Sequence, residues 1–161
     1  MPVLAGCIVR AAKPEDAVAA ASLLRESITL LCAADHQNHG ETLERWLSNK
    51  TPEQFLLWLA EPTSCTVVAE AGGVLCGVGR IHGEGDVRLC YVRVGWQRAG
   101  VGSAVLEALE AQAARWGLRE VHLTSSIGAR SFYERHGYRP SAPPFVAFGV
   151  LRSYPYSKPL R

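Results

Sequence analysis

The sequence predicts a single domain of the mixed α/β class over residues 1–161. A chain of 161 residues corresponds to about one average domain, and no linker or internal repeat divides it. With 48% hydrophobic and 20% charged residues, the composition is typical of a folded globular protein. The spacing of apolar residues changes between a helical and a strand period along the chain, so helices and strands follow one another in a mixed order.

The predicted helices are the segments in which apolar residues recur every three or four positions. Proline in the first turn and a capping box mark the starts, and glycine marks the ends of the later helices. They cover residues 14–31, 42–47, 52–60, 103–116 and 128–136. We expect residues 33–40 to form a polar loop.

The predicted strands are short apolar runs, several of them rich in valine, bounded by turn residues. They cover residues 8–11, 65–70, 74–81, 87–94, 121–125 and 145–151. Ala71-Gly72-Gly73 is a hairpin signal between the second and third of these strands.

The charge is unevenly distributed along the chain. Residues 1–80 carry six Lys/Arg and nine Asp/Glu, a net charge of −3, and residues 81–161 carry eleven and six, a net charge of +5. This division suits a site that binds two ligands of opposite charge, and it equally suits solvated surface charge. The small total of +2 and the lack of a basic run disfavour nucleic-acid binding.

Several features bear on the compartment. No apolar run approaches the roughly 20 residues of a membrane-spanning helix, so we expect no membrane association. Five cysteines without a Cys-x-x-Cys pair favour reduced thiols and a cytoplasmic location. Leu4-Ala5-Gly6-Cys7 is similar to the cleavage box of bacterial lipoprotein signals, but the six residues before Cys7 include no basic residue. They are too few for such a signal.

The segment Gln97-Arg98-Ala99-Gly100-Val101-Gly102-Ser103 lies between a predicted strand and a predicted helix. Glycine lets a ligand approach the backbone closely, and the first N–H groups of a helix attract phosphate. The segment lacks the Gly-Lys-Ser/Thr ending of a P-loop, and Val105 occupies the third glycine position of a dinucleotide fingerprint. Taken alone, the pattern indicates either a different phosphate-binding loop or a structural turn.

A second motif follows the next predicted strand: Ala129-Arg130-Ser131-Phe132-Tyr133-Glu134-Arg135-His136-Gly137-Tyr138. Together with Gln97-x-x-Gly100-x-Gly102, it resembles the GNAT superfamily of N-acetyltransferases, in which Ala-x-x-Phe-Tyr precedes a glycine and an aromatic residue. The resemblance is close over residues 65–139 and extends over residues 8–60 only in the order of elements. It implies a central mixed sheet, splayed to hold CoA and flanked by helices.

The resemblance implies that acetyl-CoA lies between the predicted strands 87–94 and 121–125. Backbone groups of Val92 and Val94 would pair with its pantetheine arm, and one amide there would stabilise the oxyanion. Backbone amides of the glycine-containing loop would hold the pyrophosphate. They belong to Gln97, Arg98, Ala99, Gly100, Val101, Gly102 and Ser103.

Two positions depart from the family pattern. Ala99 stands where an arginine usually precedes the first loop glycine, which should alter the affinity for the cofactor more than its binding as such. Ser126 stands where an asparagine is usual, and its hydroxyl offers one donor where an amide offers two.

Tyr133 matches the family tyrosine that protonates the departing thiolate. A phenol, whose pKa is about 10, can donate its proton as the thioester bond breaks, whereas Phe132 is predicted to be a core residue. Cys90 has no neighbouring histidine or helix N-terminus that would activate a thiol nucleophile. We therefore expect direct transfer without a covalent enzyme intermediate.

The sequence leaves open which group takes the proton of the acceptor. Candidates by position are Glu70, His82, Glu84 and Asp86, and water is the alternative.

Two further groups of residues have more than one interpretation. His36 and His39 beside Asp35 could suggest a metal site, but no fourth ligand is evident, so we predict a polar loop and no metal. Trp46 and Trp58 would either line a substrate pocket or pack in the core.

The sequence thus predicts an acetyl-CoA-dependent N-acetyltransferase that acts on a primary amine of a small molecule or a protein. The alternative is a catalytically silent module that binds or senses acyl-CoA. The apolar strand predicted at residues 145–151 permits two copies of the chain to pair as a homodimer.

Overall fold

The computed structural model describes residues 7–161, so Leu4, Ala5 and Gly6 of the lipoprotein-like motif lie outside the described residues. A short 3-10 helix, Pro14–Asp16, precedes the first α-helix. In chain order the elements are β1 (Ile8–Ala11), α1 (Ala17–Leu31), α2 (Ala33–His36), α3 (Gly40–Leu47), α4 (Pro52–Ala60), β2 (Ser64–Ala71), β3 (Val74–His82), β4 (Asp86–Val92), α5 (Val101–Arg115), β5 (Glu120–Ser125), α6 (Arg130–Arg135), β6 (Arg139–Pro140), β7 (Phe145–Ala147) and β8 (Leu151–Pro159). Within residues 7–161, none of the helices has the length and apolar character needed to cross a bilayer.

The strands form one mixed sheet in the order β1-β2-β3-β4-β5-β8-β6, with β7 paired to β8. The pairing of β4 with β5 is parallel, whereas the neighbouring pairs β3–β4 and β5–β8 are antiparallel. Only the positions Asp86↔His122 and Val87↔Leu123 pair between β4 and β5, and beyond them the two strands diverge. The predicted mixed sheet, splayed at this pair of strands, is therefore confirmed.

Helices cover both faces of the sheet. On one face α5 packs against β2 and β3, where the missing side chain of Gly79 leaves room for Val105. On the other face α1 and α4 pack through Leu24 and Phe55 against a cluster that includes Val78. Successive residues of a strand face opposite sides of the sheet. Val78 therefore faces α1 and α4, and Gly79 faces α5, so the sheet is the middle of three layers.

Residues 33–40, predicted to be a polar loop, contain the short helix α2. Its last residue, His36, is fully buried, and its Nδ1 accepts the N–H of Asn38 at 3.0 Å. The ring proton therefore lies on Nε2, which is 3.1 Å from the carbonyl oxygens of both Ile28 and Thr29. These carbonyls lie in the last turn of α1, where the Ile28 oxygen also accepts the Cys32 N–H, so His36 adds a donor to the end of the helix.

The strand predicted at residues 87–94 ends earlier in the structure. β4 stops at Val92, so Val94 lies outside the strand. Gly95 adopts a φ of 90° and turns the chain away from the sheet, which explains the shorter strand.

The strand predicted at residues 145–151 is also different in the structure. It consists of β7, a turn and the first residue of β8. Phe148 and Gly149 have φ values of 52° and 95°, so the chain reverses there and β7 pairs with β8.

Gly79→Ala is expected to lower the free energy of unfolding by about 1 to 3 kcal/mol. A Cβ at this position would overlap the side chain of Val105 and lie 3.3 Å from Val67, so α5 would have to move away from the sheet. Gly40→Ala is the control, because no atom lies within 4 Å of its added Cβ. Denaturant unfolding measures both variants, and equal stabilities would contradict this description of the α5 interface.

Candidate active site

The divergence of β4 and β5 creates a cleft with a cavity of about 340 Å³. The cavity is lined by residues of both strands, of β8, of α1 to α3, of α6 and of the segment that joins β5 to α6. Past Val87, the backbone groups of β4 that point towards β5 have no strand partner. Unpaired backbone N–H and C=O groups require a partner, so this edge can pair with an extended ligand.

Strand β4 presents a different environment on each of its faces. The side chain of Cys90 packs in the same apolar cluster as Tyr133 and the core residues of α5. Tyr91 packs on the other face, with Trp46 of α3 and Leu151 of β8. The cavity is lined by Cys90 and Tyr133 from the first face and by Tyr91, Trp46 and Leu151 from the second, so it passes through the sheet at the gap between the strands.

Tyr133, on α6, lies at the cavity as the sequence predicts. It is 8% exposed, and its ring packs edge-on against Phe132 and Tyr138, at centroid distances of 5.2 and 5.7 Å. Burial, reinforced by the neighbouring Cys90 thiol, raises the pKa of Tyr133 well above its usual value. Its hydroxyl therefore keeps its proton at neutral pH and is available as a donor.

Cys90 is unsuited to covalent catalysis. Burial raises the pKa of its thiol to about 12, whereas a nucleophilic cysteine needs a lowered pKa. The thiol stays protonated beside Tyr133, in agreement with the expected direct transfer.

The loop between β4 and α5 has the backbone geometry of an anion site. Arg98 and Gly100 adopt φ values of 62° and 84°, and the chain then enters α5 at Val101, two residues earlier than predicted. The N–H groups in the first turn of a helix have no partner within that helix, and here they belong to Val101, Gly102 and Ser103. The side chain of Gln97 is engaged locally and accepts the N–H of Gly95 at 2.6 Å.

His136, at the end of α6, contacts this first turn of α5. Its Nδ1 lies 2.8 Å from the carbonyl oxygen of Phe132 and therefore donates to it. Its Nε2, 2.9 Å from Ser103 Oγ, then accepts the hydroxyl proton. The predicted phosphate loop and the predicted catalytic helix are thus joined by a hydrogen bond. His136 is part of the second sequence motif, but sequence analysis gave it no function.

Ser126 follows β5 and lines the cavity. Its carbonyl oxygen accepts the hydroxyl proton of Ser125 at 2.7 Å. The position departs from the family pattern but is placed where a cofactor contact is expected.

The four predicted proton acceptors are not part of the cavity lining. Asp86 pairs with Arg88 and with His122, and the distance to the latter is 3.2 Å. Glu70 pairs with Arg10 at 3.1 Å, and Glu84 is exposed in a turn. His82 lies 3.9 Å from Glu61, at the far end of β3.

The carboxylate that does line the cavity is Asp35 of α2. It is 1% exposed, and its Oδ1 accepts the N–H of Ile127 at 2.6 Å. Burial raises the pKa of Asp35, although hydrogen bonds from the backbone of Ile127 and Gly128 oppose the rise. Sequence analysis considered Asp35 only as a metal ligand, because its partner lies 92 positions away.

The remaining candidates divide between site and core. Trp46 lines the cavity, whereas Trp58 packs against Phe55 in the core, with Arg80 above its ring. His39 caps α3 by accepting the N–H of Thr42. Across the part of the chain that the structure describes, no group of three potential metal-ligating side chains is found.

A splayed parallel strand pair, a helix that starts beside it with free N–H groups, and a buried tyrosine are the features that the resemblance to N-acetyltransferases implies. Residues 30–159 match the family described as an acetyltransferase (GNAT) domain. The chain therefore belongs to the GNAT acetyltransferase family.

Solved structures agree with this assignment at the level of the fold. A GCN5-related N-acetyltransferase from Rhodopseudomonas palustris superposes with a TM-score of 0.86 at 24% identity, over 99% of each chain. PaiA N-acetyltransferase from Thermoplasma acidophilum, in complex with coenzyme A, superposes with a TM-score of 0.80 at 17% identity, over 96% of this chain and 99% of that one. The ribosomal-protein-S18-alanine N-acetyltransferase from Escherichia coli superposes with a TM-score of 0.72 at 14% identity, over 95% of this chain and 93% of that one. No curated protein matches the sequence.

Gly100→Val is expected to weaken CoA binding by about tenfold, because a β-branched residue at a φ of 84° costs about 1 to 2 kcal/mol and would displace the loop amides. Gly73→Val is the matched control, since Gly73 has a similar φ of 80° but lies in the β2–β3 turn. Calorimetric titration with CoA compares the variants. Equal affinities for CoA would show that this loop does not bind the cofactor.

Proposed function

We propose that this protein transfers the acetyl group of acetyl-CoA directly to a primary amine. The observation that carries the proposal is the position of the buried, protonated Tyr133 at the gap between β4 and β5. This gap combines an unpaired strand edge, free helix N–H groups and a proton donor in one cleft. Membership of the acetyltransferase family supports the same reaction.

The residues fit acetyl-CoA along the length of the cleft. The amides of Val101, Gly102 and Ser103 would hold the pyrophosphate, and the loop residues Gln97, Arg98, Ala99 and Gly100 set their orientation. Backbone groups up to Val92 on the free edge of β4 would pair with the pantetheine arm. Val94 lies beyond the strand and does not extend this edge. When bound, acetyl-CoA supplies an acetyl group activated as a thioester.

The side chains around the thioester position have distinct tasks. Tyr133 donates its proton to the sulfur as the carbon–sulfur bond breaks, which makes the thiolate a better leaving group. The Cys90 thiol packs beside this hydroxyl and, being protonated, does not compete as a nucleophile. The acetyl group therefore passes to the acceptor in a single transfer.

The proposal is tested by consumption of acetyl-CoA with a panel of small primary amines and peptides with free N-termini or lysines. CoA release above the rate of hydrolysis, with N-acetylated product identified by mass spectrometry, supports it. Tight binding of acetyl-CoA without transfer to any acceptor would favour the catalytically silent binding module instead.

Two further proposals concern the setting of the protein. The five cysteines are free thiols in the described structure, which supports a reducing, cytoplasmic compartment. Phe145 and Val146 of β7 are 50% and 57% exposed and offer an apolar edge for a homodimer. Sedimentation at several concentrations measures the oligomeric state.

Tyr133→Phe is expected to lower kcat and kcat/KM by about 10²- to 10⁴-fold, the usual contribution of a positioned acid. The affinity for CoA should be nearly unchanged, since the ring still packs against Phe132. Single-turnover transfer and a CoA titration of the same variant separate the two effects.

Tyr138→Phe is the matched control. It also removes a buried hydroxyl, but that hydroxyl donates to Glu110 at 2.7 Å, away from the cavity lining. Transfer by Tyr133→Phe at the rate of the Tyr138→Phe control would remove Tyr133 from the mechanism. Loss of CoA affinity would make its contribution structural.

A further inference from the structure

The cavity contains an acid whose charge no basic lining residue offsets. Among the described residues that line the cavity, Asp35 is the single carboxylate and Arg88 the single basic side chain. Arg88 forms an ion pair with Asp86, which lies outside the cavity lining. Asp35 therefore has no cationic partner in the lining, although it is almost completely buried.

The carboxylate is held in a fixed orientation. Oδ1 accepts the Ile127 N–H, and Oδ2 lies beside Gly128, 3.7 Å from the position that a Cβ would take there. Gly128 also contributes a backbone hydrogen bond to the carboxylate. Ile127 and Gly128 belong to the segment that leads from β5 into α6. These hydrogen bonds therefore hold Asp35 next to the start of the helix that carries Tyr133.

The titratable groups that face Asp35 come from three elements. They are Cys32 at the end of α1, His36 on α2 itself and Tyr91 on β4. Burial raises the pKa of the Cys32 thiol to about 12 and raises that of Tyr91 further above its ordinary value, so both are neutral. His36 uses its two ring nitrogens in backbone hydrogen bonds.

We propose that Asp35 binds the acceptor as an ammonium ion and takes its proton, so that the substrate is a primary amine that is cationic in solution. This inference rests on the proposed function. The same cavity is lined by Trp46 and Leu31, which would contact an apolar part of the acceptor.

Removal of water favours this proton transfer. A primary amine with a pKa of about 10 enters as ammonium at neutral pH and must lose a proton before it can attack. Burial disfavours both charges, because it raises the pKa of a carboxyl group and lowers that of an ammonium group. Within the cavity the pair can thus become neutral by moving one proton from nitrogen to oxygen.

The remaining protons and electrons balance without a further reactant. After Asp35 takes the first proton, the lone pair of the amine nitrogen forms the bond to the acetyl carbon. The electrons of the carbon–sulfur bond leave with sulfur, which receives the hydroxyl proton of Tyr133. Tyr133 regains the second proton that nitrogen releases, and Asp35 gives its proton to solvent. The products are the N-acetyl amine, CoA as a thiol and one released proton.

The two groups lie on opposite faces of β4. Asp35 stands with Tyr91 and Trp46 on the side of α1 to α3, and Tyr133 stands with Cys90 on the side of α5. An amine that enters from the first side would add to one face of the planar acetyl carbonyl, and the sulfur would then depart towards Tyr133. The split sheet thereby separates the proton acceptor from the proton donor.

Asp35→Asn tests the proposal, because an asparagine oxygen can still accept the Ile127 N–H while the basic carboxylate is lost. We expect kcat/KM at neutral pH to fall by about 10²-fold or more and calorimetric affinity for the amine to fall at least tenfold. The melting temperature should fall only slightly, because the Gly128 N–H loses its acceptor, and the CoA affinity should be retained. Glu84→Gln, which removes an exposed carboxylate outside the cavity, should change none of these values.

The pH dependence of the unaltered protein gives an independent readout. Because the pKa of Asp35 is raised and the carboxylate must be ionised to take a proton, kcat/KM should fall as the pH drops through this raised pKa. Asp35→Asn should lack this acidic limb. If Asp35→Asn does not fold, the absence of the limb from the unaltered protein would by itself overturn the proposal.

The outcomes separate this inference from the proposed function. If the unaltered protein transfers acetyl groups and Asp35→Asn keeps its rate, pH profile and amine affinity, the proposal for Asp35 is wrong and transfer stands. Parallel loss of CoA affinity and stability in Asp35→Asn would assign a structural function to the residue and also overturn the proposal. If the unaltered protein transfers to no amine, the proposed function itself fails.

Discussion

The site depends on one constraint, the point at which β4 and β5 stop pairing. The strands approach closely at their start, where the N–H of His122 donates to the carbonyl of Gly85 at 2.9 Å. A Cβ on Gly85 would lie 2.8 Å from the carbonyl oxygen of Glu120, so glycine permits this contact. Two paired positions later the ladder ends. A continued ladder would satisfy the backbone groups of β4 within the sheet and leave none for a ligand.

The walls of the cleft stay in place because each strand keeps its other neighbour. β4 remains paired with β3, and β5 remains paired with β8 along its length. Helix α6 is fixed to β8 by Tyr156, whose hydroxyl donates to Glu134 at 2.6 Å, and to α5 by Ser103, whose hydroxyl donates to His136 at 2.9 Å. The helix that carries Tyr133 is therefore tied both to α5 and to the sheet.

Sequence patterns predicted the parts of the site that are local in the chain. The phosphate loop and the α6 motif each lie within about ten residues, and their glycines and aromatic residues have direct structural causes. Asp35 was not predicted as a site residue, because the hydrogen bond that fixes it joins positions 92 residues apart. The proposed bases from Glu70 to Asp86 were selected by proximity to the central strands, but the sequence does not show that ion pairs with Arg10 and Arg88 engage two of them. The turn at Phe148 was missed because a non-glycine residue there adopts a positive φ.

Burial raises the pKa of both Asp35 and Tyr133, and this one physical effect suits the first to accept a proton and the second to donate one. Tyr133 and Asp35 are both acids whose charged form is an anion, so loss of water raises the pKa of each. For Tyr133 this keeps the proton on the donor until the leaving sulfur requires it. For Asp35 it makes the carboxylate a stronger base than it is in water. The raised pKa of Asp35 also makes the stability of the fold depend on pH. The contribution of this group to stability is fully present below the ordinary carboxyl pKa, and it is lost as the pH rises through the raised pKa of the folded state. Once Asp35 is ionised, its buried charge opposes folding, and binding of a cationic acceptor would offset that cost.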